Sequence, residues 1–226
     1  MELSIDTSTR IASVSLSQKG KMCSQISWES EQNHSIELVP AISGLIDRNS
    51  ISMQSLKLIN VASGPGGFSA LRVGMSTSKG LCKSLGIPII AVPTLDLEAE
   101  AFRCLGLPVC SVIQSGKNRI YFAVFDSSEA IEYRVSDISE FPGMIPEHVI
   151  LCGEGINSIS EDVLNKCGDG VKIAKLQNPS ARIYSLSKIG YKRFLESDFD
   201  EIDALAPIYL RSSQLANAQK NIKGVK

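Results

Sequence analysis

Residues 56–86, LKLINVASGPGGFSALRVGMSTSKGLCKSLG, decide the fold class. Leu56 to Ala62 is a short apolar run suited to a buried strand. It ends at Ser63-Gly64-Pro65-Gly66-Gly67-Phe68, where three glycines in four residues permit positive φ and let another group approach the backbone closely. From Ser69 to Ser84 the apolar spacing is helical, and Gly86 stops it. Ile87 to Val92 then reads as another buried strand, and Thr94 is placed to cap a helix running to about Cys104.

On the N-terminal side the first 28 residues read as three short strands. Leu3-Ser4-Ile5 ends at the polar turn Asp6-Thr7-Ser8-Thr9, and Ile11 to Leu16 alternates, with Ala12, Val14 and Leu16 on one side and serines on the other. Lys19-Gly20-Lys21 turns the chain into a strand from Met22 to Trp28. Leu38, Ile42, Leu45 and Ile46 give residues 35–48 helical spacing, which places Pro40 in or near the first turn. A β-β-β-α-β-α order predicts an α/β fold: a mixed sheet with helices packed on it.

On the C-terminal side a subdomain break is expected near Gly106-Leu107-Pro108. Strands follow at Val109–Ile113, Ile120–Phe125, around Ala130–Val135 and at His148–Cys152, with a turn around Asp126-Ser127-Ser128. Helices are expected at 156–166 and 180–195. The reading gives an N-terminal subdomain over 1–106, a C-terminal one over 107–211 and a basic tail over 212–226.

The 226 residues are 43% hydrophobic and 21% charged, ordinary globular usage, so a disordered or collagen-like chain is excluded. Lys and Arg number 23 against 24 Asp and Glu, which argues against a broad basic face and leaves room for a local patch. No apolar run approaches the roughly 20 residues of a membrane helix, and the start, Met1-Glu2-Leu3-Ser4-Ile5-Asp6, is unlike a secretory signal. No membrane association is expected, and a cytoplasmic location is. The six cysteines, at 23, 82, 104, 110, 152 and 167, form no Cys-x-x-Cys pair and read as small hydrophobes. With only His34 and His148, a histidine-rich metal cage is ruled out, and no metal site is expected.

Two turns carry the candidate chemistry. Asp6, Ser8 and Thr9 offer a carboxylate for a hydrated metal and hydroxyls for phosphate oxygens, although Asp and Thr also favour turns by bonding their own backbone. The turn holding Gly64 and Gly66 precedes a helix N-terminus, which presents free N–H groups to an anion. It lacks the Gly-Lys-Ser/Thr of a Walker loop, and it reads equally as a tight strand-to-helix corner with Arg72 exposed. Ala70, Gly74, Ser76, Ser78 and Gly80 make the following helix small on part of its surface. Glycine in a helix costs about 1 kcal/mol relative to alanine, so something packs very close there, either the sheet beneath or a partner helix.

Together these stretches resemble one family. Leu3 to Thr9 looks like its opening strand and turn, and His34-Ser35-Ile36-Glu37-Leu38-Val39-Pro40 like its His-Ser-x-x-Leu-x-Pro segment. Gly64-Pro65-Gly66-Gly67-Phe68-Ser69-Ala70-Leu71-Arg72-Val73-Gly74 is similar to its Gly-Pro-Gly-Ser-Phe-Thr-Gly-Leu-Arg-Ile-Gly signature, and Pro207-Ile208-Tyr209-Leu210-Arg211 matches its closing Pro-x-Tyr-Leu-Arg. The family is TsaB, also called YeaZ, whose older label is glycoprotease-like.

The resemblance implies an actin-like, ribonuclease-H-like ATPase fold of two related subdomains. It implies a non-catalytic subunit that binds and organises TsaD, the paralogue that transfers a threonylcarbamoyl group to the adenosine beside the tRNA anticodon. A small ATPase, TsaE, would join them, the chain would dimerise when alone, and tRNA would be met indirectly. No cofactor of its own is implied, while ATP or ADP has a place at the interface with the partner. The partner surface would use the helices at 35–48 and 69–84, with His34, Leu38, Ile42, Ala70, Gly74 and Ser78 as its candidate residues.

Departures from the pattern bear on catalysis. The catalytic paralogue holds its metal with a His-x-x-x-His pair, and here position 38 is Leu. Gln114-Ser115-Gly116 stands where the family often has Asp-Ala-Arg, so a carboxylate has become neutral. No catalytic residue is therefore assigned. A stand-alone kinase of the same fold class is the alternative, favoured by Asp6 and disfavoured by the chain's length; a metallopeptidase, as the older label would have it, lacks a ligand set.

Overall fold

A computed structural model describes residues 1–31, 33–126, 131–174 and 178–210. The expectations for Arg211, the tail over 212–226, and Ser127 to Ala130 lie outside these residues. Two compact units emerge: Met1–Leu97 with Asn178–Ile208, and Glu98–Gln177 with the chain from Tyr209.

The first unit is built on a sheet of β1 (Glu2–Asp6), β2 (Ile11–Gln18), β3 (Lys21–Glu29), β4 (Leu58–Ala62) and β5 (Ile89–Val92), in the order β3-β2-β1-β4-β5. The first three strands are antiparallel, and β4 and β5 run parallel to β1. Leu3, Ile5, Val14, Leu16, Ile59 and Val61 point to one face, where α1 (His34–Arg48) lays down Leu38, Ile42, Leu45 and Ile46 and α2 (Phe68–Leu85) lays down Met75 and Cys82. Each fully buried Leu or Ile stabilises the unit by about 1.5–3 kcal/mol.

The opposite face is covered by α5 (Arg182–Leu195), whose Ile183 and Leu186 pack on Leu58, Ala62, Ile90 and Val92. The serines alternating along β2 are therefore buried under α5. Ser187 donates to the Ile183 carbonyl at 3.0 Å, so its oxygen accepts from Ser4 at 3.0 Å and Ser15 at 3.1 Å, while Asn60 Nδ2 donates to Ser4. Gly190 permits this closeness: a Cβ there would stand 2.0 Å from Asn60 Oδ1. The division expected at 106/107 is corrected accordingly, to 97/98 with 178–208 returned to the first unit, because the apolar face of α5 belongs to the first sheet.

The second unit repeats the plan. Strands β6 (Val109–Gln114), β7 (Arg119–Phe125), β8 (Tyr133–Asp137), β9 (Val149–Cys152) and β10 (Val171–Ile173) form a sheet in the order β10-β9-β6-β7-β8. Again three antiparallel strands are followed by two parallel ones. Its core gathers Cys110, Val112, Phe122, Phe141, Val149 and Leu151, with the rings of Phe122 and Phe141 edge to face at 5.2 Å.

Some elements differ from expectation. Pro40 lies in the second turn of α1, on its exposed side, where only the Ile36 carbonyl loses its helical partner. The helix opening at Thr94, α3, stops at Ala99 and gives way to a short 3-10 turn at Arg103–Leu105. The helix expected over 156–166 is a 3-10 turn at Glu154–Ser158 followed by α4 (Glu161–Asn165); Ser160, extended at ψ 153°, separates them.

Candidate functional site

The two candidate turns meet at the C-terminal ends of β1 and β4, where open α/β sheets place their ligands. Gly67 N donates to Ser8 O at 2.8 Å, and Thr7 Oγ1 donates to Ala70 O at 2.7 Å in the first turn of α2. Gly66 is required: a Cβ on it would lie 2.1 Å from Ser8 O. Gly64, at φ +98°, packs against Ile208, whose N–H bonds Ser63 O at 2.7 Å.

Asp6 is held from both sides. Its Oδ1 accepts from Ser8 N at 2.9 Å and Ser8 Oγ at 2.6 Å, and its Oδ2 accepts from Arg182 Nε at 2.8 Å. Arg182 also donates from Nη2 to Thr9 Oγ1 at 2.6 Å and to Ile11 O at 3.2 Å. Both side chains of the ion pair are 1% exposed. The carboxylate expected to face a hydrated metal or phosphate thus holds a cation supplied by the chain's own α5.

For Asp6 the expected contact with phosphate or metal is corrected by this buried ion pair, and Ser8 and Thr9 bond Asp6 and Arg182. Gly64 and Gly66 form the facing turn, which comes together with the first as expected. Arg182 escaped the sequence reading because it lies 176 residues from Asp6. Its signal was an arginine on the apolar stripe of a helix, beside Ile183 and one turn from Leu186, a place where a charge needs a buried partner.

The partner-surface residues divide similarly. His34 is buried: Thr9 O at 3.2 Å can only accept, so Nε2 donates to it, and Nδ1 lies in hydrogen-bond reach of Ser30 Oγ at 3.2 Å. Leu38, Ile42 and Ser78 are inside the unit's own core. Gly74 faces the turn, since a Cβ there would stand 2.3 Å from Thr7 Oγ1. Ala70 is half-buried. The five buried residues pack within the unit itself, which corrects the expectation that they face a partner, and Ala70 stands at the edge of that surface.

The outward faces of the same helices carry what the sequence reading missed. Ile36 is 70% exposed, Val39 54% and Phe68 47%, with Arg72 over the Phe68 ring at 3.9 Å. Gly44 and Gly80 open onto free space, with no heavy atom within 4 Å of a built Cβ. A period-3.6 pattern shows which residues share a face; Ile36 and Val39 were read with the motif and not as an apolar pair one turn apart. Among the described residues no group of three or more His, Cys, Asp or Glu gathers to hold a metal ion, and no helix is long and apolar enough to cross a membrane.

Over residues 25–189 the chain matches the family model described as TsaD: tRNA N6-adenosine threonylcarbamoyltransferase. The tRNA threonylcarbamoyladenosine biosynthesis protein TsaB of Bacillus subtilis is 26% identical over 223 residues, covering 94% of this chain and 94% of that protein. A tRNA N6-adenosine threonylcarbamoyltransferase of Anaeromyxobacter dehalogenans is 31% identical over 101 residues, covering 41% of this chain and 29% of that one. YeaZ from Pseudomonas aeruginosa superposes with a TM-score of 0.72 at 22% identity, covering 92% of this chain and 99% of that one. The ethanolamine utilization protein EutJ from Carboxydothermus hydrogenoformans follows the same fold at a TM-score of 0.51 and 12% identity, over 83% of this chain and 89% of that one. The two structures establish the actin-like ATPase fold, with its five-stranded mixed sheet repeated in each unit.

Proposed function

Because the chain belongs to the TsaD family and its relatives over most of its length are TsaB proteins, we propose that it serves threonylcarbamoyladenosine formation in tRNA as a non-catalytic subunit that binds and organises a TsaD-like paralogue. The buried Asp6–Arg182 pair carries this reading. The carboxylate on which phosphate or metal chemistry at this turn would depend is held by the chain's own Arg182. The stand-alone kinase reading, which rested on Asp6, loses its main support for the same reason.

The surface offered to the partner is the outward side of α1 and α2. Ile36, Val39 and Phe68 supply apolar area, and Gly44 and Gly80 let a facing helix come close. A second copy would use the same surface when the paralogue is absent. Nucleotide, where it is bound, would sit at the interface with the partner, and a TsaE-like ATPase would join the assembly in the cytoplasm. A scaffold raises the competent fraction of its partner, and the partner's rate follows that fraction.

The test is depletion of the protein from its own cell. Mass spectrometry of digested tRNA should show threonylcarbamoyladenosine lost, while the threonylcarbamoyl-adenylate precursor still forms in the same extract. Unchanged modification after complete depletion would place the protein in another process.

A further inference from the structure

The second unit carries a cavity that the proposed function does not use. Its floor is the end of the β6–β7 pair, where Val109 and Phe125 stand opposite each other, both buried. Its walls are Leu107 and Pro108, which follow Gly106 at φ +75°, and Ile131, 38% exposed. Arg103 lays its guanidinium over the Phe125 ring at 4.4 Å, and Leu105, 59% exposed, adds apolar surface in the turn before Gly106. The cavity measures about 360 Å³, at the small end of the ~300–1,000 Å³ that binding clefts span.

Charge is spread unevenly along the chain. Residues 98–177, the body of this unit, hold 12 Asp and Glu against 7 Lys and Arg. Residues 211–226 hold Arg211, Lys220, Lys223 and Lys226 and no acid, while the rest of the chain balances at 12 against 12. These opposite excesses are hidden in the formal net charge of −1. Within 211–226, Leu215, Ala218 and Ile222 stand three and four residues apart, spacing that brings side chains to one side of a helix. That segment lies outside the described residues, and the chain enters it from Tyr209 and Leu210, on the second unit's side of the division.

We infer that the cavity is the seat of the chain's own residues 211–226, with their aliphatic side chains on Val109 and Phe125 and their cations over the acidic unit. Sixteen residues span about 50 Å when extended, and an 80-residue unit has a radius of gyration of about 12 Å, so its whole surface is within reach. Tethering holds the segment at about millimolar local concentration, so modest contacts suffice to seat it. An RNA is a poorer occupant, because its phosphates would meet a unit with more acids than bases. The seating requires neither the catalytic paralogue nor tRNA.

Cys104, exposed and beside Arg103, reports on the cavity without altering it. In the full chain N217C, Q219C and N221C are made one at a time and oxidised with copper-phenanthroline. At least one should form an intramolecular disulfide with Cys104, a bond that needs Cα atoms within about 7 Å. Peptide mass spectrometry identifies the linked pair, and Cys23, exposed on the first unit, is the internal control. Adding I131D to charge the wall, or K220E/K223E/K226E to reverse the segment, should lower the yield at least about threefold. Hydrogen exchange gives a readout free of added thiols: L215D/I222D, checked by circular dichroism for its fold, should speed exchange over 103–109 at least about tenfold. No link at any of the three positions, links to Cys23 in preference to Cys104, or unchanged exchange would each overturn the inference. So would links found only between chains, which would make a second copy the occupant. Unchanged exchange in L215D/I222D, with tRNA binding weakened by K220E/K223E/K226E, would instead give the segment to RNA.

Discussion

Arg182 and Asp6 stabilise the first unit only as a pair. Truncating Arg182 would leave the Asp6 carboxylate buried with Ser8 as its remaining donor residue and would free Thr9 Oγ1 and Ile11 O as well. Breaking a buried pair in this way costs about 3–5 kcal/mol. Arg182→Ala should therefore lower the unfolding free energy by that amount, read as a lower urea midpoint at unchanged slope, and a loss under about 1 kcal/mol would show that the pair is not what locks the turn. The six thiols offer a second check at this scale. Burial pushes the Cys82 thiol up to about 12 and the Cys110 thiol well above its ordinary range, so both stay protonated and unreactive at pH 8. Cys23 and Cys104 are exposed. Ellman's reagent should titrate these two quickly in the native protein and all six after denaturation; four or more fast thiols would contradict the packing described.

Small residues along α2 do two different jobs at the scale of the element. Gly74 lies against Thr7 and Gly80 faces open space. Gly74→Ala must displace Thr7 and should cost about 1–3 kcal/mol. Gly80→Ala adds a methyl where nothing stands and should stabilise the isolated chain by up to about 1 kcal/mol, as alanine does in a helix interior. The same Gly80→Ala should weaken association with the catalytic paralogue. Thermal melting and sedimentation of the two variants separate these outcomes; equal melting temperatures would mean that the two glycines sit in equivalent surroundings. The periodicity that placed α1, α2 and α5 was legible because each carries a long apolar stripe. The direction of the small residues was not, since a glycine has no side chain to pattern. Nor were the early stop of α3 at Ala99 and the break at Ser160 legible, because both turn on local backbone conformation between apolar residues that continue the pattern. Three-residue β10 is too short to show alternation.

For the whole molecule, the order β3-β2-β1-β4-β5 recurs as β8-β7-β6-β9-β10. That duplication was expected from the family resemblance and not from spacing, since the two halves share no repeated sequence motif. What spacing alone missed is that α5, late in the chain, closes the first sheet and delivers the cation that occupies its candidate site. Tertiary pairing across 176 residues leaves only the faint trace of one arginine in an apolar row. The resulting division of labour is the central claim: an inner turn locked for structure and an outer helical face offered to a catalytic partner. Its most direct test is threonylcarbamoyl transfer to tRNA by the purified paralogue, measured by mass spectrometry as this chain is titrated in. Transfer should rise with the amount of chain and saturate, and I36D/V39D should need at least about tenfold more protein to reach the same plateau. Transfer at the full rate by the paralogue alone, or by this chain without it, would contradict the account.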